Sequence, residues 1–297
     1  MIQWLWHLVM ELSLIEHVQP DQLLAHLRAL EGERHPLTSG EQLEAAQRYL
    51  VDHWRSWGLT VSVDEFSYMG RRLVNLVARP AAFPAGPRLI VGAHVDTVIG
   101  TPGADDNASG VAALLELSRI AAPISWRLPI EFVAFTLEEW GMIGSAHYAA
   151  RMRRERVALR GMMSLEMLGF TESEGHQRYP AWLTRRYPRV GNYIGVAANR
   201  RSRNFLERVV GAMRAVPELP VETLVLPANG WVVPESRLSD HAPFWDRGYP
   251  ALLVTDTAFL RNPHYHRPSD TVETLDLPFL ARVTRGLISA IETIAKF

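Results

Sequence analysis

The stretch RLIVGAHVDTVIGTPGADDNASGVAALLELSRI (88–120) changes character twice. RLIVGAH is a short, unbroken apolar run, the mark of a strand buried on both faces. A loop rich in Gly and Pro follows. Ser109–Ile120 then takes up helical spacing. Strand, loop and helix in that order form the repeating unit of α/β folds.

The same alternation extends in both directions. Upstream, GEQLEAAQRYLVDHWRSW places Leu43, Ala46, Leu50 and Trp54 on one helical face over Gly40–Trp57, with Gly58 as a stop signal. LTVSVDEF (59–66) and LVNLVA (73–78) read as two strands. Downstream, PIEFVAFT (129–136), GMMSLEML (161–168), YIGVAA (193–198) and PALLVTD (250–256) are further strands. Met142–Arg153, Arg203–Val216 and Leu277–Ala295 are further helices. The polar stretch Thr171–Asn192 interrupts the pattern as a surface insertion. The arginines of 151–156 end a helix, where they suit its dipole. The expected fold is a single α/β domain over 1–297, a three-layer α/β/α arrangement around a mixed, mostly parallel sheet. Helices within 1–58 pack on it, and no lid or accessory domain is expected.

Composition narrows the function. Hydrophobic residues make up 47% of the 297 and charged residues 21%, enough apolar material for a core. The formal net charge of −1 leaves no cationic excess for nucleic acid or an acidic membrane. Cysteine is absent, which excludes disulfides, thiolate metal sites and cysteine nucleophiles. The first ten residues are apolar, but they carry no basic start or clean cleavage site, and Glu11 follows. They read as a terminal amphipathic helix packed on the body, not a signal peptide or membrane span. The chain is accordingly read as cytoplasmic rather than exported. Its oligomeric state is left open.

Open α/β sheets bind ligands beyond the carboxyl ends of their strands. The polar residues that follow the predicted strands are few and of two kinds. His94 and Asp96 follow RLIVGA, with Asp105-Asp106-Asn107 in the next loop. Glu138 and Glu139 follow PIEFVAFTL, and Glu166 ends GMMSL. His264, His266 and Asp270 follow PALLVTDTAFLRNP. Taken singly, each has an ordinary explanation: a solvated loop residue, a helix-start acid or an N-cap. Together they form an imidazole and carboxylate set suited to divalent ions such as Zn²⁺, Co²⁺ or Mn²⁺. Clustered carboxylates repel one another, and two cations would relieve that. The chain has no HExxH, GxSxG, GxxxxGK[ST] or GxGxxG motif. Ser239-Asp240-His241 is contiguous, unlike a catalytic triad, whose members meet by folding.

At these residues the chain resembles the M28 family of zinc-dependent metallopeptidases. The matching stretches are GAHVDTVIGTPGADDNASG (92–110), FTLEEWGMIGS (135–145), MSLEMLGF (163–170), SDHAPFWDRGYPALLVTDT (239–257) and NPHYHRPSDTVETLD (262–276). The resemblance implies the zinc-dependent exopeptidase (phosphorylase/hydrolase-like) fold and aminopeptidase action on a peptide or aminoacyl substrate, with two divalent ions, Zn or alternatively Co or Mn. It implies His94 and Glu166 as ligands of one metal, Glu139 and His266 as ligands of the other, and Asp106 as the bridge. Asp96 would orient His94 through its second ring nitrogen, and Glu138 would be the general base. Glu166 departs from the family, which usually has Asp there; a failed ligand at 166 would leave one ion. A cis peptide is implied at Asp106-Asn107. Tyr193 and the loop Asn229-Gly230-Trp231 are candidate oxyanion donors. Asp240 or Glu166 would receive the substrate ammonium, and His264 would be a substrate-pocket or structural residue. Access would be governed by loops 171–192 and 227–240. Three other readings stand beside this one. A single-zinc glutaminyl cyclase is one. A carboxypeptidase of the same fold, anchored by Arg201, Arg203 or Arg261, is another. The third is a binding module without catalysis.

Overall fold

The computed structural model describes residues 13–296. The expectation for the first ten residues lies outside that range. Two helices open the described chain. α1 (Pro20–Leu30) has proline in its first turn, where the missing N–H costs nothing. α2 (Gly40–Ser56) buries Leu43, Ala46, Leu50 and Trp54, the stripe seen in the sequence. Each fully buried leucine of this kind contributes roughly 1.5–3 kcal/mol.

Eight strands then build one sheet: β1 (Thr60–Tyr68), β2 (Arg71–Arg79), β3 (Arg88–His94), β4 (Ile130–Phe135), β5 (Leu159–Glu166), β6 (Ile194–Asn199), β7 (Val221–Leu226) and β8 (Ala251–Thr255). Their spatial order is β1-β2-β4-β3-β5-β8-β6-β7. β4, β3, β5 and β8 run parallel side by side. β1 and β2 form a hairpin whose second strand lies antiparallel to β4. β6 is antiparallel to β8 and parallel to β7. The sheet is therefore mixed, with a parallel centre. β7 was not anticipated: VETLVL is an edge strand, half-buried over most of its length, and its alternation is weak.

The remaining helices are α3 (Gly110–Ala121), α4 (Ile143–Arg154), α5 (Arg203–Met213), α6 (His241–Asp246) and α7 (Leu277–Ala295). α6 was also not anticipated, and α5 ends three residues before the predicted Val216. One face of the sheet packs against α1, α2, α3, α5 and α7 in a single apolar core. The other face packs against α4 and α6 through Tyr148, Met152, Phe244 and Trp245. Alternation within β3 divides the two cores: Leu89, Val91 and Ala93 face the first, Ile90 the second. Thr171–Asn192 forms no strand or helix beyond one bridge, Glu172 to Gly191. Among the described residues no helix is long and apolar enough to cross a membrane.

Candidate metal centre

Parallel strands bring their carboxyl ends to one edge of the sheet, and His94 and Glu166 are the last residues of β3 and β5. Beyond β4 the chain turns sharply at Leu137, with φ at +63°, and delivers Glu138 and Glu139 to the same edge. The loop after β3 brings Asp106, and the segment after β8 brings His266. Nε2 of His94 lies 3.3 Å from Asp106 Oδ1, 3.4 Å from Glu166 Oε1 and 4.0 Å from Glu138 Oε2. Nε2 of His266 lies 3.1 Å from Asp106 Oδ2 and 3.2 Å from Glu139 Oε2. His94, Asp106 and Glu166 form one group with potential ligand atoms within 4.8 Å of one another, and Asp106, Glu139 and His266 form another. Asp106 is common to both and presents one oxygen to each imidazole.

The loop that carries Asp106 is fixed from several sides. Its cis peptide, Asp106-Asn107, is at the position the resemblance implied. Asp270 accepts the amide N–H groups of Asp105 and Asp106 at 2.9 and 3.1 Å. Asp105 in turn accepts from Asn262 Nδ2 and from the Gly169 amide. Asn107 donates through Nδ2 to the Leu165 carbonyl, tying the loop to the end of β5. Ser239 donates to Glu166 Oε2 at 2.7 Å, leaving Oε1 toward His94. The Glu at 166 therefore does reach the cluster, with one oxygen already held.

Asp96 takes a different place from the expected one. Nδ1 of His94 is 3.1 Å from the main-chain carbonyl of Asp96 and 3.8 Å from its carboxylate. The carboxylate instead accepts the amide N–H groups of Glu138 and Glu139, each at 3.2 Å. It thus braces the turn that carries both glutamates.

The electrostatics follow from burial and crowding. Burial, then the neighbouring Asp106 charge, pushes Glu139 up to about 7. Burial likewise carries Glu138 well above the usual carboxylate range. Burial disfavours the His94 cation, but the Glu166 and Glu138 charges outweigh it and raise that imidazole above its ordinary value. His266 loses some basicity to burial and gains more from Asp106 and Glu139, reaching about 10. Asp106 Oδ1 and Glu139 Oε1 are nevertheless buried without a well-formed hydrogen bond. Buried carboxylate oxygens left this way are what a cation would satisfy.

Four sequence candidates are not among these ligand groups. Asp240 is near it in charge but wholly buried, with neither carboxylate oxygen hydrogen-bonded, so it is closed to a substrate ammonium. Tyr193 is buried and shares a 2.5 Å hydrogen bond with Tyr179. His264 pairs with Ser269 Oγ and sets its ring edge-on to Phe170. Asn229 accepts from Asn199 and belongs to the far loop. Two further residues stand close to the cluster. Tyr265 stacks on the His266 ring, with centroids 3.7 Å apart. Arg34, buried, donates to the carbonyls of Leu30, Gly32, Val95, Pro102 and Gly103, and so clamps the loop between His94 and Asp106. No local motif marks Arg34; only its later partners reveal it.

Comparison with known proteins places this geometry in a family. The model of peptidase family M28 matches residues 75–291. Among curated proteins, YfbL of Escherichia coli (strain K12), itself uncharacterized, is 34% identical over 294 residues, covering 92% of this chain and 88% of YfbL. A probable leucine aminopeptidase of Arthroderma benhamiae is 28% identical over 218 residues, covering 68% of this chain. The match spans about half of that relative, 53% of its length. Among solved structures, the LapA aminopeptidase of Legionella pneumophila superposes with a TM-score of 0.76 at 19% identity, covering 96% of this chain and 74% of LapA. The glutaminyl cyclase of Macrostomum lignano gives 0.72 at 18% identity, covering 94% and 90%. At these identities the two structures establish the fold alone. The family match and the long alignment with YfbL are decisive for membership: the chain belongs to peptidase family M28, and it is a metallopeptidase.

Proposed function

We propose that this protein is an aminopeptidase that hydrolyses the first peptide bond of its substrate at a centre for two zinc ions. The observation that carries the reading is Asp106, whose two oxygens face two different imidazoles, each backed by a further glutamate. That donor set of nitrogen and oxygen suits Zn²⁺, with Co²⁺ and Mn²⁺ as alternatives. Its unpartnered buried oxygens fit a cation as well. His94, Asp106 and Glu166 would hold one ion, and Asp106, Glu139 and His266 the other. Bound there, zinc supplies a Lewis acid for the scissile carbonyl and lowers the pKa of water toward ~7.

The chain's own residues do the rest. Glu138 is the general base. Its carboxylate stands 4.0 Å from His94 Nε2, in a third group with His94 and Glu139 but outside the two groups that share Asp106. It takes the proton of the attacking water on a carboxylate oxygen and returns it to the leaving nitrogen. Asp96 keeps Glu138 and Glu139 pointed in their separate directions by holding both amides. Glu166 is the acceptor left for the substrate ammonium, since Asp240 is enclosed. A single-ion cyclase would not need the second group of ligands, and the aminopeptidase reading uses both.

The test is Glu138→Gln. Elemental analysis should give the same metal per chain as wild type, about two ions, while kcat on aminoacyl anilides falls 10²–10⁴-fold. Full activity in the variant would remove Glu138 as base. Cyclisation of N-terminal glutaminyl peptides without anilide cleavage, with about one ion per chain, would replace the aminopeptidase reading by the cyclase one.

A further inference from the structure

β8, β6 and β7 place the metal centre at one end of a short row of residues. Glu166 of β5 pairs with Thr255 of β8, Thr255 with Gly195 of β6, and Gly195 with Glu222 of β7. In-register neighbours share a face of the sheet. The row therefore runs from the candidate metal ligand Glu166, across a threonine and a glycine, to a second glutamate. A parallel row, Leu253, Ala197 and Leu224, lies behind it on the same face. The helices α4 and α6 cover this face as far as the start of β8. Beyond that point loops roof it, and a cavity of about 150 Å³ remains between them and the sheet.

Both glutamates line this cavity, along with Gly195, Ala197 and the rings of Tyr179 and Tyr193. A Cβ on Gly195 would sit 3.3 Å from the Thr255 carbonyl and on the cavity floor, so the glycine keeps the row open. The volume suits one side chain, comparable to a cavity that holds a benzene ring. The walls are apolar and aromatic, yet the far end carries an acid. Strands lie about 4.8 Å apart, which separates the Glu166 and Glu222 backbones by about 14 Å. In an extended lysine, the α-amine and Nζ are roughly 7 Å apart. With hydrogen bonds of about 3 Å at each end the span comes to about 13 Å.

We propose that this cavity selects a substrate whose first residue is lysine or arginine, its ammonium near Glu166, its stem over Gly195 and its cation at Glu222. The inference rests on the aminopeptidase reading for the end of the row that holds Glu166. Tyrosine rings along the stem's path favour a cation through their π faces. Glu235, exposed at the rim, adds charge of the same sign. Four arginines lie close. Arg178 is tied to the Phe259 carbonyl at the rim. Arg261 is buried on the Tyr193 ring, 4.5 Å away, and donates to Gln177. Arg237 is paired with Asp246 at 2.7 Å. Arg186 is exposed over Tyr187, where solvent screens it.

The test measures binding first. Calorimetry on zinc-loaded protein in the Glu138→Gln background, in which the amides are not turned over, should show lysinamide binding at least ten-fold tighter than leucinamide, with Glu222→Gln removing that difference and leaving leucinamide within two-fold. Gly195→Val should weaken lysinamide and leucinamide together and spare alaninamide. The same order is expected in kcat/KM on lysyl, arginyl, leucyl and alanyl anilides. Equal or tighter leucinamide binding, or a lysine preference unchanged in Glu222→Gln, overturns the inference. The amides report on the cavity even if no anilide is cleaved, so a failed peptidase reading and a failed cavity reading give different results.

Discussion

Arg34→Met should be among the most damaging substitutions in the protein, although Arg34 touches no candidate ligand. The guanidinium is buried and donates to five main-chain carbonyls, three of them (Val95, Pro102, Gly103) in the loop between His94 and Asp106. Burial lowers its basicity to about 10, with Asp106 and Asp270 opposing that fall, so it remains a cation at neutral pH. Nη1 shares its two hydrogens among three of these carbonyls, so at most four full bonds form, and four charged hydrogen bonds at about 1.5–3 kcal/mol each rival the stability of many domains. Desolvating the cation returns several kcal/mol of that. What remains on truncation is a set of enclosed carbonyls at about 1–3 kcal/mol each, partly relieved by entering water. The expected loss is about 4 kcal/mol. Equilibrium unfolding in urea reads it directly: with a slope near 3 kcal/mol/M the midpoint falls by over 1 M. Arg34→Lys, which keeps the charge but not the planar fork, should recover only part of the loss. Because the loop positions His94 and Asp106, zinc affinity by chelator competition should fall in both variants. A loss below 1 kcal/mol in Arg34→Met would show that Asp270 and Asn107 hold the loop unaided, and the clamp argument would fail.

Two further outcomes test other parts of the structure. His26 is buried beside Tyr49, His53 and Trp57, and burial, then the charges of His53 and Arg119, lowers it to about 4. The unfolded chain therefore takes up this proton first: stability is full above pH 6.5 and is lost as pH falls from 6.5 to 4, by on the order of 3 kcal/mol. His26→Gln should flatten the urea midpoint across that window, and an unchanged slope would refute the assignment. Ser239→Ala frees Glu166 Oε2 without touching Asp106, Glu139 or His266. Zinc titration should then show one of two sites weakened 10- to 100-fold and the other intact; equal weakening of both would contradict the division of ligands.

How far the sequence could be read depends on what each residue's position reveals locally. Strand-end position brought forward His94, Asp106, Glu138, Glu139, Glu166 and His266 along with Asp96, Asp105, His264 and Asp270, because parallel strands force those ends to one edge, and only the resemblance to the family separated the six from the rest. No knowledge of side-chain direction was needed. His264 satisfies the same positional rule and yet turns to Ser269 Oγ, because the rule locates a backbone and says nothing of which way its side chain turns. Asp96 shows the same limit more finely: two groups of one residue, carbonyl and carboxylate, compete for the His94 ring, and only the fold decides that the carbonyl is nearer. Arg34 is beyond any such rule, since its five acceptors come from residues 30–32 and 95–103, and nothing in its own neighbourhood separates it from the other arginines. The row from Glu166 to Glu222 lies beyond it too, for it depends on β8 running antiparallel to β6 and on an edge strand of weak alternation. Strand ends can therefore reveal the chemistry of such a site while its selectivity, set by cross-strand register, stays hidden until the order of the sheet is known.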